Sequence, residues 1–443
     1  MRLKEFKEKI KVKNNQKRLK KEYQNKKTQE KELKIIGITG SRGKSTTAYI
    51  VHEYLKSLGK KSVLYSSLGI DSESSIVKKD EACEVPINSI ETLDGILEEA
   101  KAYEADYLVL EVNESSIPLL KDMPIDVRVL TNFNPKHNEE HYSIEEYKNL
   151  KKAFFENVDE CVCVMGLGSM MEKEDYEEFI QTNNYPKITF GSKYICEKRG
   201  VNLNKINHYL HELYDSLNGL SMQVMVNGKN YYLNTNNILP HNALNYVCAM
   251  ATLDALKVLN VSKFNDCIKD LKIPGREEVL KVKGRTIVIG MFLNPSLETF
   301  KKYKQNHEIN QIKVLTGSVG SGFKTWKDVY KTEKFINERK KAREFAMKEV
   351  NKYADFVYLT ENDNAKEDVN QICSELQSYL TVPSKIILDR AEAIKKMINE
   401  SSEGDLLFIS GRGNKRVLCV SEDKVKLMKD KDVVEEYLKE LGR

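Results

Sequence analysis

No stretch of this sequence approaches the roughly 20 consecutive apolar residues that cross a bilayer. Its N-terminus carries charge where a secretory signal needs an apolar core. A membrane-spanning or secreted class is therefore not expected, and the expected location is cytoplasmic. The eight cysteines, Cys83, Cys161, Cys163, Cys196, Cys248, Cys267, Cys373 and Cys419, include no Cys-x-x-Cys pair, which argues against a zinc ribbon and for reduced, mostly buried thiols. Cys161 and Cys163 flank one residue of a strand-like run and would share a sheet face, where metal binding is the alternative to plain burial. There is no internal repeat, and no low-complexity tract beyond a basic N-terminal arm. The net charge of +5 hides an asymmetry, because residues 1–34 are dense in Lys and Arg while the remainder is close to balanced. That arm reads as a solvated helix docked on its own domain, or as an electrostatic tether to a membrane surface or acidic polymer. Nucleic acid is not an expected partner.

At 443 residues the chain is too long for a single core. What it contains in abundance is alternation of short apolar runs with helical stretches, which predicts an α/β fold: the arm (1–34), a central P-loop ATPase domain with a mostly parallel sheet (35–273), and a C-terminal Rossmann-like domain (274–443). The organising stretch is Gly37-Ile38-Thr39-Gly40-Ser41-Arg42-Gly43-Lys44-Ser45-Thr46. It follows the apolar pair Ile35-Ile36 and runs into an amphipathic segment over Thr47–Leu55. Strand, glycine-rich turn, Gly-Lys-Ser and helix is the order in which backbone N–H groups and a helix N-terminus surround a phosphate. Lys44 would reach the outer phosphates of a nucleotide, and Ser45 its magnesium. The usual first glycine of such a loop is replaced by Ile38, with Gly40 serving instead.

In parallel sheets chemistry gathers at the C-terminal ends of the strands. That rule singles out Glu111, after Leu108-Val109-Leu110, and the run Thr131–His137, after Val129-Leu130; a carboxylate and an imidazole there could complete a magnesium site. Asn227-Gly228 marks a hairpin, a small antiparallel addition. In the C-terminal region, strand-like runs at Thr286–Ile289, Lys313–Thr316, Phe356–Leu359, Lys385–Leu388 and Leu406–Ile409 define the second sheet. Gly317–Gly322 reads either as a flexible turn or as a phosphate-side loop, and Asp389-Arg390 either as a helix-start ion pair or as site residues.

These motifs resemble, in order, those of the Mur ligases. Thr39–Thr46 is similar to their Thr-Gly-Thr-Asn-Gly-Lys-Thr-Thr, Glu111–Ser116 to Glu-Val-Ser-Ser, and Asn132–Lys151 to the segment that ends in Tyr-x-x-x-Lys, with His137, His141, Tyr147 and Lys151 in register. His241-Asn242-Ala243-Leu244-Asn245 is similar to His-Asn-x-x-Asn, and Gly275-Arg276-Glu277-Glu278 to Gly-Arg-Met-Glu. The resemblance implies ATP and Mg2+ as cofactors and amide formation between an amino acid and a carboxylate acceptor. The loop Gly40, Ser41, Arg42, Gly43, Lys44, Ser45 and Thr46 would hold the triphosphate, with Ser45, Glu111 and His137 on magnesium. Lys151 matches the lysine that reacts with carbon dioxide in the family and so supports the metal. His241, Asn242 and Asn245 would pack near the adenine, and Arg276 would approach the nucleotide from the following domain.

Three departures bear on the substrate. Only the basic arm precedes the phosphate loop, where the tripeptide-forming member has a domain for the UDP end of its acceptor. The family's Asp-Asn-Pro-Arg corresponds to Asn362-Asp363-Asn364-Ala365, without the carboxylate-binding arginine. The acidic residue expected after Gly-Lys-Gly corresponds to Lys415, near Arg412. Asn362, Asp363, Arg412 and Lys415 are the candidate substrate residues, and a lysine in place of a glutamate favours an acidic incoming amino acid. The alternatives are a poly-γ-glutamate synthetase-like ligase, a nucleotide-binding regulatory subunit without ligase activity, or a plain P-loop ATPase or kinase.

Overall fold

The computed structural model describes residues 33–72, 87, 89–135, 142–156, 161–320, 333–421 and 424–442, with side chains of 333–338 excepted. The bulk of the basic arm, His137, His141, Cys83 and the end of the Gly317–Gly322 run fall outside the described residues.

The described chain divides into two compact units. The first takes residues up to Tyr214 together with Leu220–Asn236 and His241–Leu271; the second takes Asp215–Gly219, Asn237–Pro240 and the chain from Lys272 onward.

In the first unit the strands are β1 (Lys34–Thr39), β2 (Ser62–Ser66), β3 (Gly69–Asp71), β4 (Tyr107–Glu111), β5 (Val127–Leu130), β6 (Val162–Gly166), β7 (Lys187–Ser192), β8 (His208–Ser216), β9 (Gly219–Val226) and β10 (Lys229–Thr235). They form one ten-stranded sheet in the order β10-β9-β8-β7-β6-β5-β1-β4-β2-β3. The strands from β2 through β8 in that order are mutually parallel. Ile35, Ile36, Ile38, Leu108, Val109, Leu110, Val129 and Leu130 are all fully buried. Consecutive burial, rather than alternation, is the signature of a parallel sheet covered on both faces. The Asn227-Gly228 hairpin is the expected antiparallel addition, and its strands β9 and β10 extend the same sheet. The strand at its join, β8, carries only mixed polar and apolar residues and escapes sequence reading for that reason.

Helix α1 (Lys44–Ser57) starts at the lysine of the phosphate loop, three residues earlier than the apolar pattern indicates. Helix α2 (Ile144–Ala153) is started by a capping box, in which Ser143 Oγ accepts from the Glu146 N–H while the Glu146 carboxylate accepts from the Ser143 N–H at 2.8 Å. Tyr147 and Lys151, four apart and so on one face, are its buried residues. Helix α3 (Ala243–Ala255) is apolar almost all round and buried along its length. Cys161 and Cys163 share a face with their sulfurs 3.7 Å apart, both buried.

The second unit holds β11 (Glu278–Val282), β12 (Arg285–Ile289), β13 (Ile312–Thr316), β14 (Phe356–Leu359), β15 (Ser384–Ile386) and β16 (Leu406–Ile409) in the order β11-β12-β16-β13-β14-β15. All pairs are parallel except β11 with β12. A ribbon of β17 (Val417–Ser421) and β18 (Lys424–Leu427) stands apart from that sheet. Asp389 and Arg390 do not pair with each other. Asp389 caps α4 (Arg390–Asn399) through the Glu392 N–H and meets Lys426 at 2.6 Å, whereas Arg390 forks onto Asp430 at the start of α5 (Asp430–Glu440) at 2.7 and 2.8 Å, with both partners fully buried. Among the described residues no helix is long and apolar enough to cross a membrane.

Candidate active site

Strand β1 lies between β4 and β5, with Ile38 level with Glu111 and Thr39 level with Leu130. Crossovers leave to opposite sides at this point, so three strand ends converge: the glycine-rich loop, Glu111, and Thr131–Asn134.

The loop is held almost entirely by the segment after β5. Ser41 N–H donates to Asn132 O at 3.1 Å, and Arg42 N–H donates to Asn132 Oδ1 at 3.1 Å. Thr131 Oγ1 and Asn132 Nδ2 both donate to Arg42 O, at 2.6 and 3.0 Å. Gly40 has φ 147°, and a Cβ there would stand 1.9 Å from Thr131 Oγ1; at Gly43, φ 78°, a Cβ would stand 2.2 Å from Asn245 Oδ1. Both positions therefore exclude a side chain on two counts. Gly40→Ala is expected to cost about 1–3 kcal/mol of stability through backbone strain and to abolish nucleotide binding. Thermal unfolding and ATP titration of the variant check this, and normal binding would show that the loop tolerates a different path.

Gly43 precedes α1 without a side-chain cap, and no acidic residue stands in the first turn. The first N–H groups of the helix are thus left for an anion, with the helix dipole favouring negative charge. Lys44 Nζ folds back onto Gly40 O at 2.9 Å and Ser41 O at 3.5 Å. Ser45 Oγ and Glu111 Oε2 each lie 2.8 Å from Ser67, the first from its hydroxyl and the second from its N–H. A hydroxyl and a carboxylate converging beside a phosphate loop form an oxygen donor set suited to magnesium.

Beneath the loop is Lys151, fully buried rather than displayed on a basic helix surface. Its Nζ donates to Thr39 Oγ1 at 2.9 Å and Gly40 O at 3.2 Å, and pairs with Glu114 at 2.7 Å. Thr39 Oγ1 in turn donates to Val112 O at 2.8 Å. Tyr147 OH lies 2.9 Å from Ser41 Oγ, which accepts from Asn134 N–H at 2.8 Å. Burial pushes the Lys151 ammonium down to about 8, with Glu114 opposing and Lys44 reinforcing the shift. Burial alone would raise Glu114, but the cations Lys151 and Lys44 outweigh it and hold the carboxyl well below its usual range.

The remaining expected residues divide. Asn242 is buried and accepts from Asn245 Nδ2 at 3.0 Å, so that Asn245 lies directly over Gly43 of the loop; His241 stands exposed on the preceding short turn. Arg276, in the second unit, lies 5.8 Å over the Phe292 ring. In that unit Asn362, Asp363, Arg412 and Lys415 cluster together. Asp363 and Arg412, two of the candidate substrate residues, are buried against each other at 2.9 Å, and Asp363 also accepts the Cys419 N–H at 3.0 Å. Lys415 Nζ stands 3.6 Å from Asp363, beyond hydrogen-bond reach and 21% exposed. Asn362 Oδ1 is buried without a hydrogen-bond partner among the described residues.

Sequence reasoning passed over Glu114 and Ser67 as site residues. Glu114 had a signal, being a second carboxylate three positions after Glu111 in a motif that otherwise carries hydroxyls. Ser67 had none, since only the β2–β3 turn brings it to Ser45.

Comparison with known proteins follows the same lines. Residues 38–253 match the Mur ligase middle domain. The chain is 24% identical over 391 residues to the UDP-N-acetylmuramoyl-L-alanyl-D-glutamate–2,6-diaminopimelate ligase of Aquifex aeolicus, covering 86% of this chain and 73% of the relative. Among solved structures, folylpolyglutamate synthase from Thermotoga maritima superposes with a TM-score of 0.60 at 17% identity over 90% of each chain. The MurF ligase from Thermotoga maritima in complex with ADP gives 0.59 at 17% identity, over 97% of this chain and 84% of that one. Residues 38–253 thus match a Mur ligase middle domain built around the phosphate loop, and over most of its length the chain is similar to ligases of that kind.

Proposed function

We propose that this protein joins an incoming amino acid, acidic in side chain, to a carboxylate acceptor at the expense of ATP. The observation that carries the ligase reading is the buried Lys151–Glu114 pair locked to Thr39 and Gly40 directly under the phosphate loop. A plain phosphate loop has no need of a buried lysine there, whereas a site that must set an acceptor carboxylate beside a triphosphate has a use for one whose charge can change.

The loop N–H groups and the N-terminus of α1 orient the triphosphate of ATP, and Lys44 swings from Gly40 O onto its outer phosphates. Magnesium, which Ser45 Oγ and Glu111 would hold, supplies positive charge against the transferring phosphoryl group. An acceptor carboxylate oxygen takes the γ-phosphoryl, ADP leaves, the amine attacks the acyl carbon, and inorganic phosphate departs as the amine sheds its proton. Lys151, pushed down to about 8, has a nucleophilic amine form accessible near neutral pH, as addition of carbon dioxide would require.

Support for an acidic amino acid comes from Lys415, a cation where an acidic residue is expected, placed beside Arg412 and Asp363. Phosphate release from ATP, measured across amino acids and candidate acceptors, tests both levels. Release that requires an amine and an acceptor together is expected, with glutamate or aspartate preferred. Lys415→Glu is expected to cut kcat/KM for the acidic amino acid about 10- to 100-fold, or about 1.4–2.8 kcal/mol, and to favour a diamino acid instead. A preference for lysine or diaminopimelate in the unaltered protein would overturn the acidic reading and leave the ligase standing. The 90% coverage of folylpolyglutamate synthase favours one second reading, repeated addition; a ladder of products in place of a single addition would establish it. Nucleotide binding without turnover in any pairing would point to a regulatory subunit.

A further inference from the structure

Two turns along α1 from the phosphate loop, a second group of ligand-type side chains faces the β2–β3 hairpin. His52 is fully buried, and its Nε2 makes no hydrogen bond among the described residues. That nitrogen points between two carboxylates, 3.4 Å from Asp71 Oδ2 and 3.8 Å from Glu53 Oε1. With Nδ1 carrying the proton, the Nε2 lone pair facing two carboxylates across this gap is unfavourable unless something positive lies between them. Ser62 Oγ is 2.9 Å from the other ring nitrogen, Nδ1, and can accept its proton. This is the tautomer that leaves Nε2 as a donor atom, and such an outer hydrogen bond is what orients metal-binding histidines.

From this geometry we propose that His52, Glu53 and Asp71 form a transition-metal site of the zinc class, separate from the nucleotide. The three donor atoms all lie within 4.8 Å of one another. Donors about 2.0–2.2 Å from a tetrahedral ion stand about 3.4 Å apart, so closing the site needs only small side-chain movement. One nitrogen and two carboxylate oxygens suit zinc, cobalt or manganese rather than an all-oxygen calcium or magnesium cage. His52 lies eight residues beyond Lys44, about 12 Å along the helix. Glu53 and Asp71, at 23% and 20% exposure, leave a path from solvent.

Lys56 is the competitor built into the site. Its ammonium spans the same carboxylates, 3.2 Å from Glu53 and 3.6 Å from Asp71, and a divalent ion must displace it outward. The site would pin the β2–β3 hairpin to α1, and the turn of that hairpin carries Ser67, which touches Ser45 and Glu111. Metal occupancy would thereby stiffen the approach to the nucleotide site without contributing to it.

Titration of the full-length protein with Co2+, without nucleotide and followed by visible absorption, tests the site. One equivalent with the bands of a low-coordinate N/O site is expected, displaced by Zn2+. It is lost in His52→Gln and in Asp71→Asn, retained in Glu111→Gln, and tightened about tenfold in Lys56→Met, which removes a competing charge. Lys56 is only partly buried, so that variant reads the site even if burial makes the His52 change unfold the protein. An unchanged Co2+ spectrum in His52→Gln and Asp71→Asn would overturn the proposal. So would unaltered affinity in Lys56→Met, or thiolate charge-transfer bands placing the ion on Cys161 and Cys163.

Discussion

Lys44→Ala is expected to lower kcat/KM for ATP by about 10²- to 10³-fold, the usual loss on removing one preorganised donor from a charge-stabilising site, while the protein unfolds at nearly the same temperature. Lys44 is the first residue of α1, where alanine is a good helix former. Among the described residues its hydrogen bonds reach Gly40 O and Ser41 O alone, in a loop anchored independently by Thr131 and Asn132. What is lost is therefore charge aimed at the phosphates. The same ammonium depresses both Lys151 and Glu114, so its removal raises the titration points of both, a second signature that a structural lysine would not give. Activity retained with a large fall in thermal midpoint would make Lys44 a strut of the loop instead of a phosphate ligand.

The larger stability effect lies one layer deeper. Lys151→Met leaves Glu114 with no cation at 2.7 Å, and breaking such a pair on one side costs about 3 kcal/mol, at the low end of the buried range because Glu114 keeps some contact with water. The double variant Lys151→Met with Glu114→Gln is expected to recover most of that loss. The folded carboxyl of Glu114 is held below its ordinary 4.5, so its contribution is fully present above that value and is lost as pH falls below it. The deficit of Lys151→Met should accordingly shrink in acid, where a protonated Glu114 needs no partner. Lys151 behaves oppositely. Its folded value of about 8 lies below the ordinary 10.5, so between those values the unfolded chain binds the extra proton, and this group makes stability rise with pH. Lys151→Met removes that rise. Denaturant unfolding of the three proteins at pH 5, 7 and 9 measures all of this, and a double variant no more stable than Lys151→Met would show that the pair is not what holds the loop.

The phosphate loop was legible because its constraints are local. Gly40 and Gly43 sit where neighbouring side chains leave no room for a Cβ, Lys44 and Ser45 open the helix, and Ile35 and Ile36 announce the strand before it. The parallel sheets were legible for a similar reason, since unbroken apolar runs separated by helical periods admit few other arrangements. The mixed-polarity strand β8 was not, because most of its side chains are only partly buried and it shows no unbroken apolar run.

The sequence by itself determined the order of the elements, the α/β class and the position of the nucleotide-binding turn, all consequences of spacing and of where glycine is sterically required. Only the tertiary structure decided which polar groups meet. Lys148, Lys151 and Lys152 lie within one short basic stretch, yet Lys148 and Lys152 pair with Asp175 and Glu178 toward the surface while Lys151 alone turns inward to Glu114. Asp389 and Arg390 are adjacent and choose different partners, and Asp363 is given to Arg412. A charged side chain carries no mark of its partner in its own neighbourhood, because the choice follows from which desolvated counter-charge the folded backbone brings within about 3 Å.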